Sequence, residues 1–196
     1  MLLVWEHISI SLLSFAIAML IGVPAGFICV YVQRTKKCIV PFFQVLRIIP
    51  SLAILLLLLP IMGTGVKPAM TALVLLAIPP ILINTVAGLE SVSDSVLETA
   101  AGCGMTKRQI WLKVRLPLAI PMISVGSKTA IVEIIASATI ASRIGAGGLG
   151  GLIFTGLGLN RFDLLLVGGL SVALLSLGAA LVIGLLDRII LRYKYV

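Results

Sequence analysis

The sequence predicts an all-α membrane protein with about five transmembrane helices. Its 196 residues are 60% hydrophobic and only 11% charged, whereas soluble domains carry roughly 25% charged residues. A transmembrane helix needs about 20 mainly apolar residues to cross a hydrocarbon core of roughly 30 Å, and its backbone must bond within itself there. Five apolar segments meet or approach that length, namely residues 8–32, 45–62, 68–89, 116–142 and 164–186.

The Lys and Arg residues predict the orientation of these helices. With the N-terminus outside, the inner segments carry ten of the 15 basic residues, which are Arg34, Lys36, Lys37, Lys107, Arg108, Lys113, Arg115, Arg188, Arg192 and Lys194. The outer loops carry three, which are Lys67, Arg143 and Arg161. Because cytoplasmic segments are enriched in Lys and Arg, this bias predicts an outer N-terminus and a cytoplasmic C-terminus. The formal charge of +8 then reflects topology and contact with the lipid bilayer, and nucleic acid is not expected as a partner.

A charged block rich in small residues, residues 98–117, separates the third and fourth predicted spans. The stretches Ser95-Val-Leu-Glu98 and Thr106-Lys-Arg-Gln109 both have the spacing of a capping box, which starts a helix. Gly102 or Gly104 can end the first of these helices, since glycine adopts the left-handed conformation found at helix ends. The pattern predicts two short helices with a glycine turn between them. Alone, it allows either an ordinary polar loop or a docking surface for another protein.

The block reads Glu98-Thr99-Ala100-Ala101-Gly102-Cys103-Gly104, then nine residues, then Val114-Arg115-Leu116-Pro117. It resembles the EAA loop, E-A-A-x3-G-x9-I-x-L-P, of the membrane-spanning subunits of binding-protein-dependent ABC importers. The spacing is kept throughout, and the two departures are Thr99 for Ala and Val114 for Ile. In that family the loop is the cytoplasmic knob that docks onto the ATPase subunit. The resemblance therefore assigns ATPase coupling to Glu98, Ala100, Gly104, Val114, Leu116 and Pro117.

Three further stretches narrow this resemblance, namely Gly22-Val-Pro-Ala-Gly26, Arg47-Ile-Ile-Pro50-Ser51-Leu52 and Ile144-Gly-Ala-Gly-Gly-Leu-Gly150. With them the chain resembles the permease subunit of importers for glycine betaine, carnitine, choline and related osmoprotectants. The resemblance implies one transmembrane domain over residues 1–196, with its coupling loop at about residues 90–117. Some members of the family carry a fused solute-binding domain after the last span, but about ten residues follow it here, so we expect neither a fused binding domain nor an ATPase domain.

The same resemblance places the chain in the bacterial cytoplasmic membrane and implies three protein partners. They are an ATP-binding cassette ATPase subunit, a second permease copy or paralogue, and an extracytoplasmic solute-binding protein. Two alternatives remain open at this point. One is a permease for an amino acid such as methionine. The other is a channel or an ion-coupled secondary transporter, which would leave the spacing of residues 98–117 unexplained.

Four polar residues in the predicted spans are candidates for lining a translocation path: Arg47, Asn84, Lys128 and Glu133. Charged groups are costly in a bilayer and usually face protein or water. Lys128 and Glu133 are about 140° apart around one predicted helix, so each needs a partner elsewhere or a wet path. The alternatives are a head group of Arg47 that reaches the interface and a structural ion pair for Glu133. Pro79-Pro80, just before Asn84, is the best candidate for a functional helix break.

The sequence predicts no catalytic residue, metal site or cofactor. It has one His, His7, and no cluster of acids, and its three Cys cannot all pair. Gly145-Ala-Gly-Gly-Leu-Gly150 has the spelling of a dinucleotide-binding motif but follows a predicted membrane helix instead of a strand. We interpret residues 142–160 as a Gly-rich external linker, partly re-entrant. Because the chain has no phosphate-binding loop, it is not expected to be an enzyme, and a partner must hydrolyse ATP.

Overall fold

The computed structural model describes residues 2–190, and each regular element within them is helical. The α-helices there are α1 (Leu2–Tyr31), α2 (Gln33–Leu46), α3 (Ser51–Met62), α4 (Val66–Glu90), α5 (Asp94–Gly102), α6 (Lys107–Ile110), α7 (Leu116–Ala141), α8 (Gly150–Gly158) and α9 (Phe162–Ile190). A π-helical segment, Trp111–Arg115, joins α6 to α7, and a 3-10 turn, Ser142–Ile144, follows α7. Arg192 and Lys194, two of the basic residues assigned above to the tail, lie outside the described residues.

Four of the predicted spans are confirmed as single long helices. These are α1, α4, α7 and α9, each of which is long and apolar enough to cross a membrane. Their apolar residues cover all faces, as expected for helices surrounded by lipid and by one another. The all-helical membrane fold predicted from composition is therefore correct.

The second predicted span, residues 45–62, is not one helix. The chain breaks between α2 and α3, and the axes of these two helices differ in direction by 97°. Pro50 explains the break, because proline cannot donate a backbone hydrogen bond and disfavours helical geometry at the residue before it, Ile49. With 12 residues, α3 is only about 18 Å long, so α2 and α3 together form at most one bent span. The structure thus has four candidate spans, or five if the bent pair counts as one.

Helix α4 forms the centre of the bundle, with α1 and α7 packed along it. The two glycines of the Gly22–Gly26 pair face α4: a Cβ atom on Gly22 would lie 2.9 Å from Ile81 Cγ2, and one on Gly26 would lie 2.6 Å from Thr85 Cγ2. On the other side, a Cβ atom on Gly126 of α7 would lie 2.7 Å from the carbonyl oxygen of Pro80. Small residues therefore set the closest approach of both neighbours, as in many membrane bundles.

The predicted helix break at Pro79-Pro80 is wrong, since α4 runs through both prolines without interruption. Both are buried in the bundle. Side chains bond to carbonyl groups in this stretch, with Asn84 Nδ2 donating to Pro80 O over 2.8 Å and Thr85 Oγ1 donating to Ile81 O over 2.7 Å. Burial among neighbouring helices allows proline within a membrane helix.

The Gly-rich segment, residues 142–160, is more ordered than the predicted linker. Gly145, Gly147 and Gly148 all have positive φ angles, and the chain then forms α8, which packs against α9. The loop also closes onto the start of α1, where the backbone N–H of Gly148 donates to Glu6 Oε2 over 3.1 Å. Composition alone could not predict this contact, because the two residues are far apart in the sequence.

Candidate functional site at the loop between α4 and α7

The first helix of this loop, α5, begins two residues earlier than predicted. Its N-cap residue is Ser93, and the Ser95–Glu98 capping box is absent from the described structure. Instead, the hydroxyl oxygens of Ser93 and Ser95 lie 3.1 Å apart. The carboxylate of Asp94 in the first turn complements the positive end of the helix. Glu98 is consequently free to face outward, and it is exposed.

The turn after α5 depends on Gly104. Its φ angle is +79°, a conformation that other L-residues adopt only at a cost. The backbone N–H of Met105 bonds to Ala100 O over 3.2 Å and that of Gly104 to Ala101 O over 2.9 Å, which is the hydrogen-bond pattern of a Schellman motif. No other atom lies within 4 Å of a Cβ placed on Gly104. The predicted glycine turn is present, and its outer surface is unoccupied by the rest of the described chain.

The second capping box is confirmed. The backbone N–H of Thr106 donates to Gln109 Oε1 over 2.8 Å, and that of Gln109 donates to Thr106 Oγ1 over 3.3 Å. The helix that starts here is not a separate short helix, however. It passes through the π-helical segment into α7, so the loop and the membrane helix form one continuous rod of 38 residues, Lys107–Ile144.

The motif residues lie on both sides of a shallow groove. Val114 faces α5 across a groove of about 330 Å³, which it lines together with Ser95, Val96, Thr99 and Ala100. The two departures from the family pattern, Thr99 and Val114, thus line the same groove. Leu116 and Pro117 lie half-buried in the first turn of α7. The structure therefore brings Ala100 and Val114 together and leaves Glu98 and Gly104 exposed on the outer surface.

Lys128 has an ionic partner that the sequence analysis missed. Its ammonium group pairs with Asp187 of α9, and Ser124 Oγ donates to the other carboxylate oxygen of Asp187. Asp187 lies one residue beyond the predicted fifth span, and a carboxylate at the end of an apolar run was the available signal. The ion pair joins α7 to α9. Pairing lowers the cost of both charges in a membrane protein.

Arg47 and Glu133 are arranged differently. Arg47 lies exposed at the break between α2 and α3, and Glu133 lies half-buried on α7. No ion pair within 4.0 Å joins the Arg47 guanidinium to the Glu133 carboxylate in the described part of the chain. Asn84 bonds within its own helix and packs against Gly126. Of the four candidate path residues, only Arg47 and Glu133 keep charged groups without a close ionic partner among residues 2–190.

No group of three or more His, Cys, Asp or Glu residues within residues 2–190 has the arrangement of a metal site. His7, the single His, is buried near the start of α1, where its Nε2 lies 3.1 Å from Ile135 O. It therefore connects α1 to α7.

Residues 18–192 match the family described as binding-protein-dependent transport system inner membrane component. The carnitine transport permease protein OpuCB of Listeria monocytogenes is 39% identical over 183 residues, which are 93% of this chain and 84% of the relative. The choline transport system permease protein OpuBB of Bacillus subtilis is 36% identical over 184 residues, which are 94% of this chain and 85% of the relative.

The fold is also shared with a solved transporter. A chain from an inward-facing structure of the MetNI methionine ABC transporter superposes with a TM-score of 0.78, over 95% of this chain and 92% of that chain, at 22% identity. At this identity the likeness concerns the fold alone.

Proposed function

Because the chain belongs to the family of binding-protein-dependent transport system inner membrane components, we propose that it moves osmoprotectants of the quaternary-amine class into the cell by ATP-driven alternating access. The chain is a multi-pass permease subunit of the bacterial inner membrane, and it is not an enzyme, since a separate subunit hydrolyses ATP in such systems. The proposal adds the substrate class, the partners and the residues that serve each step.

The observation that carries the proposal is the outward-facing surface of the loop between α4 and α7. Glu98 and Gly104 are exposed on it, and Ala100 and Val114 line its groove. A continuous helix connects this surface to the membrane span α7. A partner ATPase that binds here can therefore displace a transmembrane helix directly, which a loop with flexible ends would not allow. Leu116 and Pro117 lie in the first turn of α7, where the loop joins the membrane helix.

The substrate class rests on the similarity to carnitine and choline permeases over more than nine-tenths of this chain. A quaternary ammonium head carries a positive charge and cannot donate an N–H hydrogen bond, so a carboxylate suits it better than a hydroxyl or a carbonyl does. Glu133 supplies such a group on α7, and Arg47 lies at the break between α2 and α3. We assign these two residues to the translocation path, whereas the contacts of Lys128 and Asn84 favour structural roles.

The partners follow from the same assignment. An ATP-binding cassette ATPase binds the loop, a second permease copy or paralogue completes the path, and an extracytoplasmic solute-binding protein delivers the solute. ATP binding brings the ATPase subunits together and opens the path outward, and hydrolysis returns it inward. The N-terminus faces outward in this scheme, so the basic loop meets the ATPase in the cytoplasm.

Uptake by the reconstituted complex tests the proposal. The permease, its ATPase and its binding protein are placed in liposomes with ATP on the ATPase side, and uptake of labelled choline, carnitine, glycine betaine and methionine is measured. We expect ATP-dependent uptake of at least one quaternary amine. Uptake of methionine alone would contradict the substrate class, and uptake without ATP would instead indicate a channel or secondary transporter.

Accessible tags test the orientation separately. Labels at Lys36 and Thr106 should react only from the cytoplasmic side. Labels at Gly65 and at the exposed Gly158, close to the buried Gly156, should react only from the outside. The reason is the ten-to-three distribution of basic residues between the two sides. A label at Thr106 that reacts from outside would place the coupling surface away from any ATPase.

A further inference from the structure

The π-helical segment Trp111–Arg115 lies where the loop joins the membrane bundle. At its end the backbone N–H of Leu116 bonds to Trp111 O, five residues earlier. Such wide turns are rare in proteins and occur frequently at functional sites. Pro117 gives a local reason for the wide turn, because its ring would collide with a carbonyl group in the preceding turn of a regular α-helix.

Arg115 connects this segment to the end of α4. Its Nε donates to Leu89 O over 2.9 Å. The last carbonyl groups of a helix have no partner within the helix, and the helix end carries a partial negative charge. Ser91 Oγ bonds the neighbouring carbonyl of Gly88 over 2.8 Å. Arg115 therefore contributes a cationic cap to α4 from a different part of the chain.

Trp111 connects the same segment to α1. Its ring meets that of Phe27 edge to face, with 6.0 Å between centroids and 67° between planes. The guanidinium carbon of Arg115 lies 5.3 Å from the centre of the Trp111 ring, within the range of a cation–π contact. Trp111 and Arg115 are both half-buried. Together with Phe27 and Leu89 they form a contact that we name the π joint.

We propose that the π joint transmits movement of the coupling loop to α1 and α4, with Arg115 and Trp111 as its positioning residues. This inference rests on the proposed function, because it requires an ATPase that moves the loop. The rod of α6 and α7 carries movement of the loop directly into α7. Apart from the π joint, the chain links α4 to the loop through residues 91–93, and α7 packs along α1 and α4. The π joint adds direct contacts from the helix of the loop to Phe27 of α1 and Leu89 of α4.

The π joint is spatially separate from the docking surface. Glu98 and Gly104 face outward from the loop, whereas Arg115 and Trp111 face the bundle. Loss of the π joint should therefore leave ATPase binding intact and remove the coupling between ATP hydrolysis and transport. Loss of the docking surface should abolish ATPase binding itself.

The test compares Arg115→Gln and Trp111→Ala with Arg115→Lys, and uses Lys113→Gln as a matched control in the same segment, where Lys113 is exposed. Co-purification with the ATPase, thermal stability, basal ATP hydrolysis, its stimulation by loaded binding protein, and uptake are measured on the reconstituted complex. For Arg115→Gln and Trp111→Ala we expect normal co-purification and basal hydrolysis. Uptake and stimulation should be about tenfold lower for Arg115→Gln, as for loss of a hydrogen bond to a charged group, and about fivefold lower for Trp111→Ala, as for loss of a cation–π contact of roughly 1 kcal/mol. Arg115→Lys should recover part of the stimulation, because an ammonium group can bond Leu89 O but stacks poorly on Trp111. Lys113→Gln should behave as wild type.

Three results would overturn the inference. Normal uptake in Arg115→Gln would show that the contact transmits nothing. Loss of ATPase binding or of thermal stability in both Arg115→Gln and Arg115→Lys would show a structural role only. The wild-type complex is measured alongside the variants. If it fails to couple ATP hydrolysis to uptake, the proposed function itself is contradicted, and this result is distinct from a failure of the variants alone.

Discussion

Two glycine turns lie at opposite ends of α7 and differ in what surrounds them. Gly104 and Gly147 both have positive φ angles, +79° and +78°. A Cβ atom on Gly147 would lie 2.6 Å from Glu6 Oε2, whereas no other atom lies within 4 Å of one on Gly104. The chain fills the space at Gly147 with its own side chain and leaves the space at Gly104 open. The turn at Gly147 thus maintains the fold, and the turn at Gly104 is available to a partner.

The same contrast applies to two charged residues of α7. Lys128 pairs with Asp187 of the same chain, whereas Glu133 has no ionic partner within 4.0 Å among the described residues. A charge with an internal partner is expected to contribute to stability, and one without is expected to act on something else. The following substitutions test the contrast between the two glycine turns and the contrast between the two charged residues.

Gly104→Trp should have the largest effect and should abolish uptake. The bulky side chain would occupy the open surface on which the ATPase is proposed to bind, while the thermal stability of the permease should change only by the strain of a positive φ, about 1 kcal/mol. Co-purification, uptake and a thermal melt are the measurements. Gly104→Ala is the matched control, with the same backbone strain but little bulk, and should retain most uptake. Full uptake by the Trp variant would remove the docking assignment.

Gly147→Val should instead lower stability, by about 2–4 kcal/mol. A β-branched residue is strained at positive φ, and it would push the Glu6 carboxylate away from the Gly148 N–H, so the strain and a lost hydrogen bond add. The thermal melt of the purified permease measures it. Gly104→Val serves as control, since Gly104 has nearly the same φ angle and no other atom lies within 4 Å of its Cβ. Equal melts for the two variants would mean that the Gly-rich loop does not hold the start of α1.

Lys128→Met and Asp187→Leu should each destabilise the permease by about 2–3 kcal/mol. The expected loss of stability is smaller than the full cost of an unpaired buried charge, because about a third of the Lys128 side chain is exposed. The double variant removes both charges and should regain most of the stability and uptake. If the double variant melts normally but still fails in uptake, Lys128 belongs to the path and the contrast with Glu133 fails.

Glu133→Gln should have the smallest effect, a lower uptake rate with unchanged assembly. The substitution keeps volume and hydrogen-bonding capacity and removes the possible charge. We expect a reduction of about fivefold, since a partly solvated charge interaction contributes up to about 1 kcal/mol. Initial rates at saturating solute are the measurement, with affinity at the separate binding protein as a control that should not change. An unaltered rate, or a complex that fails to assemble, would make Glu133 a structural residue.

The sequence by itself determined the features that depend on local composition and spacing. The four long helices follow from apolar runs of sufficient length, because a backbone in lipid has no alternative to helix. The Thr106–Gln109 capping box and the turn at Gly104 follow from residues that interact within a few positions of one another. The family also follows locally, since the spacing of residues 98–117 is a continuous pattern.

Only the tertiary structure decided the features that depend on distant residues. Pro50 lies at a helix break, whereas α4 runs through Pro79 and Pro80, which are buried in the bundle. Asp187 is the partner of Lys128, and Arg115 caps α4 at Leu89. A local pattern specifies which conformations a segment can adopt and which polar groups need a partner. Which partner each group finds is determined by how the helices pack.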